Sequence, residues 1–389
     1  MKIVVLGGAG MMGCLATSDL VGSEPVDEVV IADLNRERAE QVAGYLNSAK
    51  LSVVQVDTRD HEALVRVLQG ADCCLNATVY YMNLEVMSAC LEARVSYTDL
   101  GGLFHTTRRQ LEWHERFKMA GIGAVLGMGS APGVPNVQSR YAADHLDTIE
   151  SIRIYDGIKP PPPDQVVFSY AVATILDELT LPPMVYRDGE FLACQPLSEF
   201  EDYWFTPPIG LLPMHLSLHS EVATLPLTFQ RKGIRECVFK INYWGMAPET
   251  VEKVKVLVDL GFASREPVQV GGVSVIPREL MVSLLGGYVP PITSFLEPPR
   301  NQPPDWTKEI VTEVRGTREG KPVIYRLGTL TVKGSLPTGA APSIAAQWLA
   351  EGRVPPGVYP PEAVIEPLPF FKELEKRGIP TQVSVTEFI

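Results

Sequence analysis

The sequence predicts an α/β fold, in which a doubly wound parallel sheet comes first and an α+β part with an antiparallel sheet follows. Through the first 130 residues, short apolar runs bounded by turn residues alternate with helix-length segments. That alternation is typical of strand–helix–strand units. After about residue 147 the pattern changes to polar–apolar alternation interrupted by tight turns, which is typical of an α+β architecture.

Apolar runs in the first part predict the strands of the parallel sheet. They are Lys2–Leu6, Glu28–Ala32, Leu51–Val56, Cys73–Ala77 and, as the last core strand of this part, Ala124–Leu126. Between them, apolar residues recur at helical spacing, as in Arg36–Leu46 and Leu84–Ala93. Because crossovers between parallel strands are right-handed, these units predict a doubly wound sheet.

Tight turns organise the second part. Glycine-containing turns between apolar segments predict hairpins at Asp188-Gly189, Gly271-Gly272 and Arg318-Glu319-Gly320. Helical spacing predicts helices at Glu249–Leu260 and Arg278–Leu285 and, near the end of the chain, at Ser343–Leu349 and Phe370–Lys376. The proline-rich stretch Pro290–Trp306 predicts an exposed loop or arm.

Composition narrows the class of partner. The chain has 389 residues, with 34 Lys+Arg against 46 Asp+Glu and a net charge of −12. This deficit of basic residues argues against nucleic acid or an anionic membrane as the main partner. No apolar run reaches the roughly 20 residues of a membrane span, and the N-terminal run is too short for a signal peptide. The six cysteines lack metal-ligand spacing, so we expect free thiols in a cytoplasmic protein and no metal site.

A glycine motif predicts the first ligand. Gly8-Ala9-Gly10-Met11-Met12-Gly13 has the spacing G-x-G-x-x-G, and it follows a predicted strand and opens a predicted helix. In that context the first glycine permits a tight turn, the second lets the backbone approach a pyrophosphate, and the third lets helix and strand pack closely. The N-terminus of the helix adds N–H donors for the phosphate. We therefore predict a Rossmann-type dinucleotide-binding domain.

Asp33 bears on which dinucleotide is bound. It lies 20 residues after Gly13, at the end of the second apolar run, where a carboxylate would accept hydrogen bonds from the adenosine ribose. A 2′-phosphate would meet a like charge there, so NAD is favoured over NADP, although Arg36 could offset that repulsion. The alternative is that Asp33 only caps the helix that begins near Asn35.

The chain resembles the saccharopine dehydrogenase superfamily and is most similar within it to the lysine 6-dehydrogenases. The segments that carry the resemblance are Gly7–Gly13, Asp33, Val56-Asp57, Asn76–Tyr81, Tyr97–Gly102, Gly127–Asn136, Gly357–Glu362 and Glu373–Ile379. The resemblance is strong at both ends of the chain and weaker between about 155 and 330. One departure is His219–Pro226, which lacks the glycines that lysine dehydrogenases carry after an aromatic pair.

The resemblance implies three regions. Residues 1–130 would form the dinucleotide-binding domain, residues 131–335 an α+β substrate-binding and dimerisation domain, and residues 336–389 a segment that returns to the first domain. It also implies a homodimer. The candidate cofactor-binding residues are Gly8, Gly10, Met11, Met12, Gly13, Asp33, Asn35, Asp57, Asn76, Ala77 and Tyr80.

Family and cofactor together imply hydride transfer at a carbon that bears nitrogen. The leading hypothesis is the NAD-dependent oxidative deamination of L-lysine at the ε-carbon. A first alternative is a saccharopine or carboxyspermidine-type reductase that uses NADP. A second alternative is a catalytically inactive regulator that binds a dinucleotide. In the oxidative reaction the amine must be neutral, and because its usual pKa is about 10.4, a base or a dry pocket has to remove its proton.

Four residues are candidates for that proton transfer. His219 with Glu221 places an imidazole near a carboxylate in the predicted substrate domain. Asp99 and His105 lie at the carboxyl end of a predicted strand, where ligands collect in such sheets. Three of them have a structural alternative: His219 as a surface loop residue, Asp99 as a helix cap and His105 as a residue at a helix start.

Overall fold

A computed structural model of the chain describes residues 1–162, 164–288, 291, 296, 307–332 and 335–388. In residues 1–145 the elements are β1 (Lys2–Leu6), α1 (Met11–Gly22), β2 (Glu28–Asp33), α2 (Arg36–Leu46), β3 (Leu51–Gln55), α3 (His61–Leu68), β4 (Cys73–Asn76), α4 (Asn83–Ala93), β5 (Ser96–Asp99), α5 (Leu103–Leu111), α6 (His114–Ala120), β6 (Gly123–Val125) and α7 (Val134–Asp144).

A second group follows: β7 (Thr148–Ile158), α8 (Val172–Thr180), β8 (Met184–Arg187), β9 (Glu190–Ala193), β10 (Glu201–Trp204), β11 (Leu211–Leu216), α9 (Glu221–Thr228), β12 (Glu236–Ile241), α10 (Pro248–Asp259), β13 (Val268–Val270), β14 (Val273–Val275), α11 (Pro277–Leu285), β15 (Lys308–Arg318) and β16 (Lys321–Thr331). The chain ends with α12 (Leu336–Ala350), β17 (Gly357–Tyr359), α13 (Pro361–Val364), α14 (Pro367–Lys376) and β18 (Thr381–Glu387).

The first sheet is seven-stranded and parallel, in the order β17-β6-β5-β4-β1-β2-β3. The predicted doubly wound parallel sheet is confirmed. The strand order reverses between β1 and β4, and in such sheets the crevice at that reversal is where ligands bind. Ala124–Leu126 was predicted as the last strand, but β17 pairs beyond it at the sheet edge.

Helices cover both faces of this sheet, which explains why its strands are continuous apolar runs. On one face, α1, α12 and α14 enclose a core that includes Ile3, Val5 and Trp348. On the other, α3, α4 and α6 enclose a core that includes Val4, Leu6 and Phe117. Every residue of β1 except the first is therefore buried.

The second sheet is nine-stranded and mixed. Its main path is β10-β11-β12-β7-β15-β16-β18, with β8 attached to β12 and β9 to β8. The hairpins predicted around Asp188-Gly189 and Glu319-Gly320 are present. The sheet is not wholly antiparallel, because β7 and β12 run parallel. A parallel pair needs a long crossover, and here the chain between the two strands includes α8 and α9.

The C-terminal segment is divided between the two sheets. Helix α12 packs against α1, and β17 extends the first sheet. The last strand, β18, instead pairs with β16 of the second sheet. The expectation that residues 336–389 return to the first domain therefore does not hold for β18. The predicted arm Pro290–Trp306 lies outside the described residues, apart from Pro291 and Leu296. Among the helices that the structure describes, none has both the length and the apolar character that crossing a bilayer requires.

We predict that Gly339→Ala lowers the free energy of unfolding. Gly339 lies in α12 where this helix touches α1, and a Cβ built on it would be 2.5 Å from the Cβ of Leu15 and 2.7 Å from its carbonyl carbon. Overpacking of this kind costs about 1–3 kcal/mol. The measurement is the urea unfolding transition, with Gly44→Ala in α2 as the matched control. A Cβ on Gly44 meets nothing within 4 Å, so that variant should gain about 0.5–1 kcal/mol. Equal transitions for the two variants would contradict the prediction.

Candidate active site

The glycine turn between β1 and α1 has the geometry of a phosphate cradle. Gly7 has a φ of +69°, and its carbonyl oxygen accepts a hydrogen bond from the N–H of Gly10 at 2.9 Å. A Cβ on Gly13 would be 2.1 Å from that same oxygen. Only glycine at this position allows the helix to begin so close to the strand. Gly10 is the N-cap residue of α1 and makes no side-chain cap, so the first N–H groups of the helix have no partner within the helix.

Asp33 ties this turn to the end of β2. Its two oxygens accept hydrogen bonds from the N–H groups of Ala9 at 3.0 Å and Asn35 at 2.9 Å. Each carboxylate oxygen keeps a further lone pair, so the residue has acceptor capacity left for a ribose hydroxyl. Asn35 is itself the N-cap residue of α2, and its side chain accepts a hydrogen bond from the N–H of Arg38. The helix-capping alternative therefore describes Asn35, whereas Asp33 fixes the glycine turn.

The other candidate cofactor residues lie in different surroundings. Met11, Met12, Ala77 and Tyr80 line the cavity described below. Gly8 and Gly13 belong to the turn itself, where they pack against the backbone of β1 and of the turn. Asn76 is buried and is bonded to Asn83, Tyr97 and Thr78. Asp57 forms an ion pair with Arg59 at 2.6 Å, and the hydrogen bonds from Arg59 lower the pKa of Asp57 to about 2.

A cavity of about 290 Å³ lies between the two sheets. On the side of the first sheet its wall includes Gly10, Met11, Ala77 and Tyr80. On the side of the second sheet the wall carries titratable groups, namely Asp156, Tyr170, Glu178, His219 and Lys308. The cavity therefore joins the crevice at the strand reversal to polar side chains of the second sheet. This is the arrangement that a two-substrate oxidoreductase needs.

His219 and Glu221 form a buried pair. The Nδ1 of His219 and an oxygen of Glu221 are 2.5 Å apart, and the imidazole stacks on Phe239 with ring centroids 3.7 Å apart. Burial acts to lower the pKa of His219, but the carboxylates of Glu221, Glu178 and Asp156 outweigh it, so this pKa is raised. No hydrogen bond to Nε2 is found within the part of the chain that the structure describes. His219 can therefore hold a proton and present it from Nε2 towards the cavity.

Glu178 is a carboxyl group of the cavity wall that accepts several hydrogen bonds from the protein. Its Oε2 accepts hydrogen bonds from Trp244 Nε1 at 2.7 Å, from Tyr170 at 2.9 Å and from Ser217 at 3.2 Å. Its Oε1 has no hydrogen-bond partner among the described residues. Burial raises the pKa of this carboxyl, and His219 and the three donors oppose that rise.

Asp156 lies on β7 beside the cavity and is 3% exposed. One oxygen is paired with Nζ of Lys308 at 2.8 Å. The other, Oδ1, is buried and has no partner in the described chain. Burial raises the pKa of Asp156, and Lys308 opposes that rise. A buried carboxylate oxygen without a donor is costly, so this wall favours a cationic ligand.

The structure does not bring Asp99 and His105 to the cavity wall. Asp99 is fully enclosed by donors: its oxygens accept hydrogen bonds from Tyr97, Asn83, Gln110 and the N–H groups of Gly101 and Gly127. His105 is exposed on α5, where its ring meets the edge of Phe104. Neither residue is among those that line the cavity, so their assignment to proton transfer has no support in this geometry.

Sequence reasoning missed the acidic part of the wall. Asp156 lies in an alternating strand, and Glu178 follows Asp177 in an amphipathic helix, a pattern that looks like surface charge. Asp177 is buried too, but its carboxylate pairs with Arg278 at 2.7 Å and does not line the cavity. Only the tertiary structure separates the inward-facing Glu178 from its neighbour. Among the described residues, no group of three or more metal-ligating side chains is found.

Two family models match the chain. The saccharopine dehydrogenase NADP binding domain matches residues 3–125, and the saccharopine dehydrogenase C-terminal domain matches residues 129–379. The chain belongs to the saccharopine dehydrogenase family. The resemblance inferred from sequence motifs is therefore confirmed, and so is the prediction of an enzyme that uses a nicotinamide dinucleotide.

Two similar proteins are named for carboxylated amines. Carboxyaminopropylagmatine dehydrogenase of Synechocystis sp. is 25% identical over 404 residues, which cover 98% of this chain and 97% of that protein. Carboxynorspermidine synthase of Vibrio cholerae is 24% identical over 308 residues, which cover 73% of this chain and 72% of that protein.

Two solved structures share the architecture of this member of the saccharopine dehydrogenase family. Saccharopine dehydrogenase (L-Glu forming) of Saccharomyces cerevisiae has a TM-score of 0.70 at 17% identity, over 99% of both chains. Homospermidine synthase of Legionella pneumophila, solved with NAD, has a TM-score of 0.66 at 13% identity, over 100% of this chain and 91% of that one. At these identities the likeness establishes the fold alone.

We predict that Gly10→Val abolishes dinucleotide binding without unfolding the protein. A Cβ on Gly10 would already be 3.1 Å from the carbonyl oxygen of Gly7, and the added methyl groups would occupy the space in front of the helix N-terminus. Calorimetric titration with NAD and with NADP should show an affinity at least about 10-fold weaker, because the N–H donors become blocked. Gly22→Val, at the other end of α1 where a Cβ meets nothing within 4 Å, is the control. Unchanged affinity in a folded Gly10→Val protein would place the dinucleotide elsewhere.

Proposed function

We propose that this enzyme is a reductase that joins an amine to an aldehyde bearing a carboxylate, and so produces a carboxylated di- or polyamine. This is the carboxyspermidine-type alternative from the sequence, and we place it ahead of lysine deamination. The observation that carries it is the acidic wall: in the described chain Asp156 Oδ1 is buried without a partner, and Glu178 Oε1 accepts no hydrogen bond.

That wall suits a cation better than a neutral or anionic substrate. Burial raises the pKa of both carboxyl groups, and an opposite charge beside them would restore their charged form. The amines used to build polyamines carry such a cation at the end away from the reacting nitrogen. The names of the relatives from Synechocystis sp. and Vibrio cholerae, a carboxyaminopropylagmatine dehydrogenase and a carboxynorspermidine synthase, point to the same class of product.

In the proposed reaction a neutral amine adds to the aldehyde, and the resulting carbinolamine loses water to give an iminium ion. His219 would supply the proton that leaves with the hydroxyl group as water, and Glu221 would hold the imidazole by its Nδ1. When bound, the reduced dinucleotide supplies a hydride to the iminium carbon, which yields the neutral secondary amine. The cavity between the sheets holds the reacting atoms together and excludes bulk water.

We propose NAD as the preferred dinucleotide. The first turn of α1 would receive the pyrophosphate, and the carboxylate of Asp33 would accept the ribose hydroxyls and repel a 2′-phosphate. The family model is named for NADP, and the Legionella pneumophila structure was solved with NAD, so both dinucleotides belong in the test.

Three further proposals concern the whole protein. The boundaries 1–130, 131–335 and 336–389 are our proposed divisions of the chain, with β18 of the last region contributed to the second sheet. A cytoplasmic location is supported by six free cysteines. The proposed homodimer would cover apolar side chains that are exposed on α10 and α11, such as Val256, Leu280 and Leu284.

The substrate class is tested with purified protein and the absorbance of reduced nicotinamide. We expect oxidation of NADH, and less of NADPH, only when a primary di- or polyamine and the aldehyde 2-amino-4-oxobutanoate are both present. The panel contains 1,3-diaminopropane, 1,4-diaminobutane and agmatine. L-lysine with NAD is assayed in parallel. Reduction of NAD by lysine alone would instead support a lysine 6-dehydrogenase, and dinucleotide binding without turnover on any pair would support a regulator.

We predict that His219 acts in its protonated form. The reductive rate should be high below the pKa of His219 and should fall as the pH rises through it. Because the carboxylate of Glu221 raises that pKa, Glu221→Gln should move the alkaline limb of kcat/KM to lower pH. His219→Ala should lower kcat by about 100-fold or more and remove the limb. The affinity for the dinucleotide should stay unchanged.

The matched control is His61→Ala. His61 also lies 2.9 Å from a carboxylate, that of Glu92, but on the protein surface. Its replacement should leave the pH profile as it is. If kcat/KM still falls at high pH in His219→Ala, another group supplies the proton.

A further inference from the structure

A set of hydroxyl groups lines the cavity on the side of the first sheet. Ser130 follows β6, and Ser335 and Thr338 stand at the start of α12; all three contribute to the cavity wall. The two segments touch, because a Cβ built on Gly129 would be 3.7 Å from Cγ2 of Thr338. The loop after β6 and the first turn of the 15-residue helix α12 therefore line the same part of the cavity.

Within the described chain, the side-chain hydroxyl groups of Ser130, Ser335 and Thr338 make no hydrogen bond to the protein. Ser130 is 2% exposed, and its Oγ has no hydrogen-bond partner among the residues that the structure describes. Ser335 makes no side-chain cap on α12, and no bond of the Thr338 hydroxyl is found in the described part of the chain. Two other hydroxyls on the cavity wall are bonded within the protein: Thr78 donates to Asn76 at 2.6 Å, and Ser169 donates to the carbonyl oxygen of Trp244 at 2.9 Å.

The electrostatics of this end suit an anion. The N-terminal end of α12 carries the positive end of the helix dipole. Its backbone offers few donors, because Pro337 has no N–H and the N–H of Thr338 already donates to the carbonyl oxygen of Ser335 at 3.0 Å. The hydroxyl groups would therefore make the hydrogen bonds, while the helix supplies the favourable field. The acidic side chains Asp156 and Glu178 belong to the other wall of the same cavity.

We propose that Ser130, Ser335 and Thr338 form a subsite for the carboxylate of the aldehyde substrate. The proposal rests on the proposed function, whose product carries a carboxylate at one end and a cation at the other. The carboxylate is repelled from the wall of Asp156 and Glu178. Lys308 is already bonded to Asp156 at 2.8 Å. On the side of the first sheet, the hydroxyl groups of Ser130, Ser335 and Thr338 would donate hydrogen bonds to the substrate carboxylate.

The kinetic test uses Ser130→Ala, Thr338→Val and the double variant. We expect the double variant to raise the KM for 2-amino-4-oxobutanoate about 10-fold or more, because bonds to a charged group are lost. The KM for the amine and the kcat at saturation should stay within about 2-fold. Ser343→Ala is the control, because Ser343 lies on the same helix but is bonded to Asp19 instead of lining the cavity. Equal KM values for the aldehyde in the double variant and the wild type would overturn the proposal.

A binding test separates this subsite from the proposed reaction. L-2-aminobutyrate and n-propylamine, which lacks the carboxylate, are titrated by calorimetry into protein saturated with NAD. The double variant should bind L-2-aminobutyrate about 10-fold more weakly and n-propylamine unchanged. This result without turnover on any amine–aldehyde pair would keep the anion subsite and remove the proposed function. If the affinity for NAD falls instead, the anion held here is the pyrophosphate, and the carboxylate assignment is wrong.

Discussion

The burial of carboxyl groups between the two sheets is the constraint on which the rest of the structure depends. A buried carboxylate without donors costs several kcal/mol, so the chain has to bring donors to each one. Asp99 shows the result most clearly. Its two oxygens collect the N–H groups of Gly101 and Gly127 and three side chains. The carboxyl group of Asp99 therefore joins the loop after β5 to the loop after β6. Ser130 lies in the loop after β6.

The same constraint separates structural acids from functional ones. Asp99 has donors on both oxygens and lies outside the cavity wall, so it has no capacity left for a ligand. Asp156 and Glu178 each satisfy one oxygen with the protein and keep the other one for the cavity. Such incomplete satisfaction is costly for the free protein and is repaid when a cation binds. The distribution of donors over the two oxygens therefore separates Asp99, which is bonded on both, from Asp156 and Glu178, for which we propose contact with a substrate.

The sequence predicted the fold well where the residue pattern of a single strand or helix determines its secondary structure. Strands β1, β2 and β4 are covered on both faces, so each is mainly an apolar run, whereas the edge strand β3 is only partly buried. The prediction of where an element begins was less accurate where contacts with other elements determine it. The sequence predicts that the helix begins at Ser343, because Pro337 and Gly339 resemble helix breakers. In the structure α12 begins at Leu336. In the structure that proline lies in the first turn, where it is tolerated, and Gly339 allows contact with α1.

The same distinction applies to the site. A phosphate is recognised mainly by backbone N–H groups, so the spacing of Gly8, Gly10 and Gly13 between a predicted strand and a predicted helix is enough to predict its site. In our proposal an amine is recognised by side chains that come from separate segments, namely Asp156, Glu178 and the His219–Glu221 pair. Of these, only the histidine and its glutamate are close enough in sequence to suggest each other. One fold can serve many substrates, because specificity depends on side chains that can change while the sheets stay intact. Membership of the family therefore indicates an oxidoreductase, whereas we propose that the wall of the second sheet determines which amine is bound.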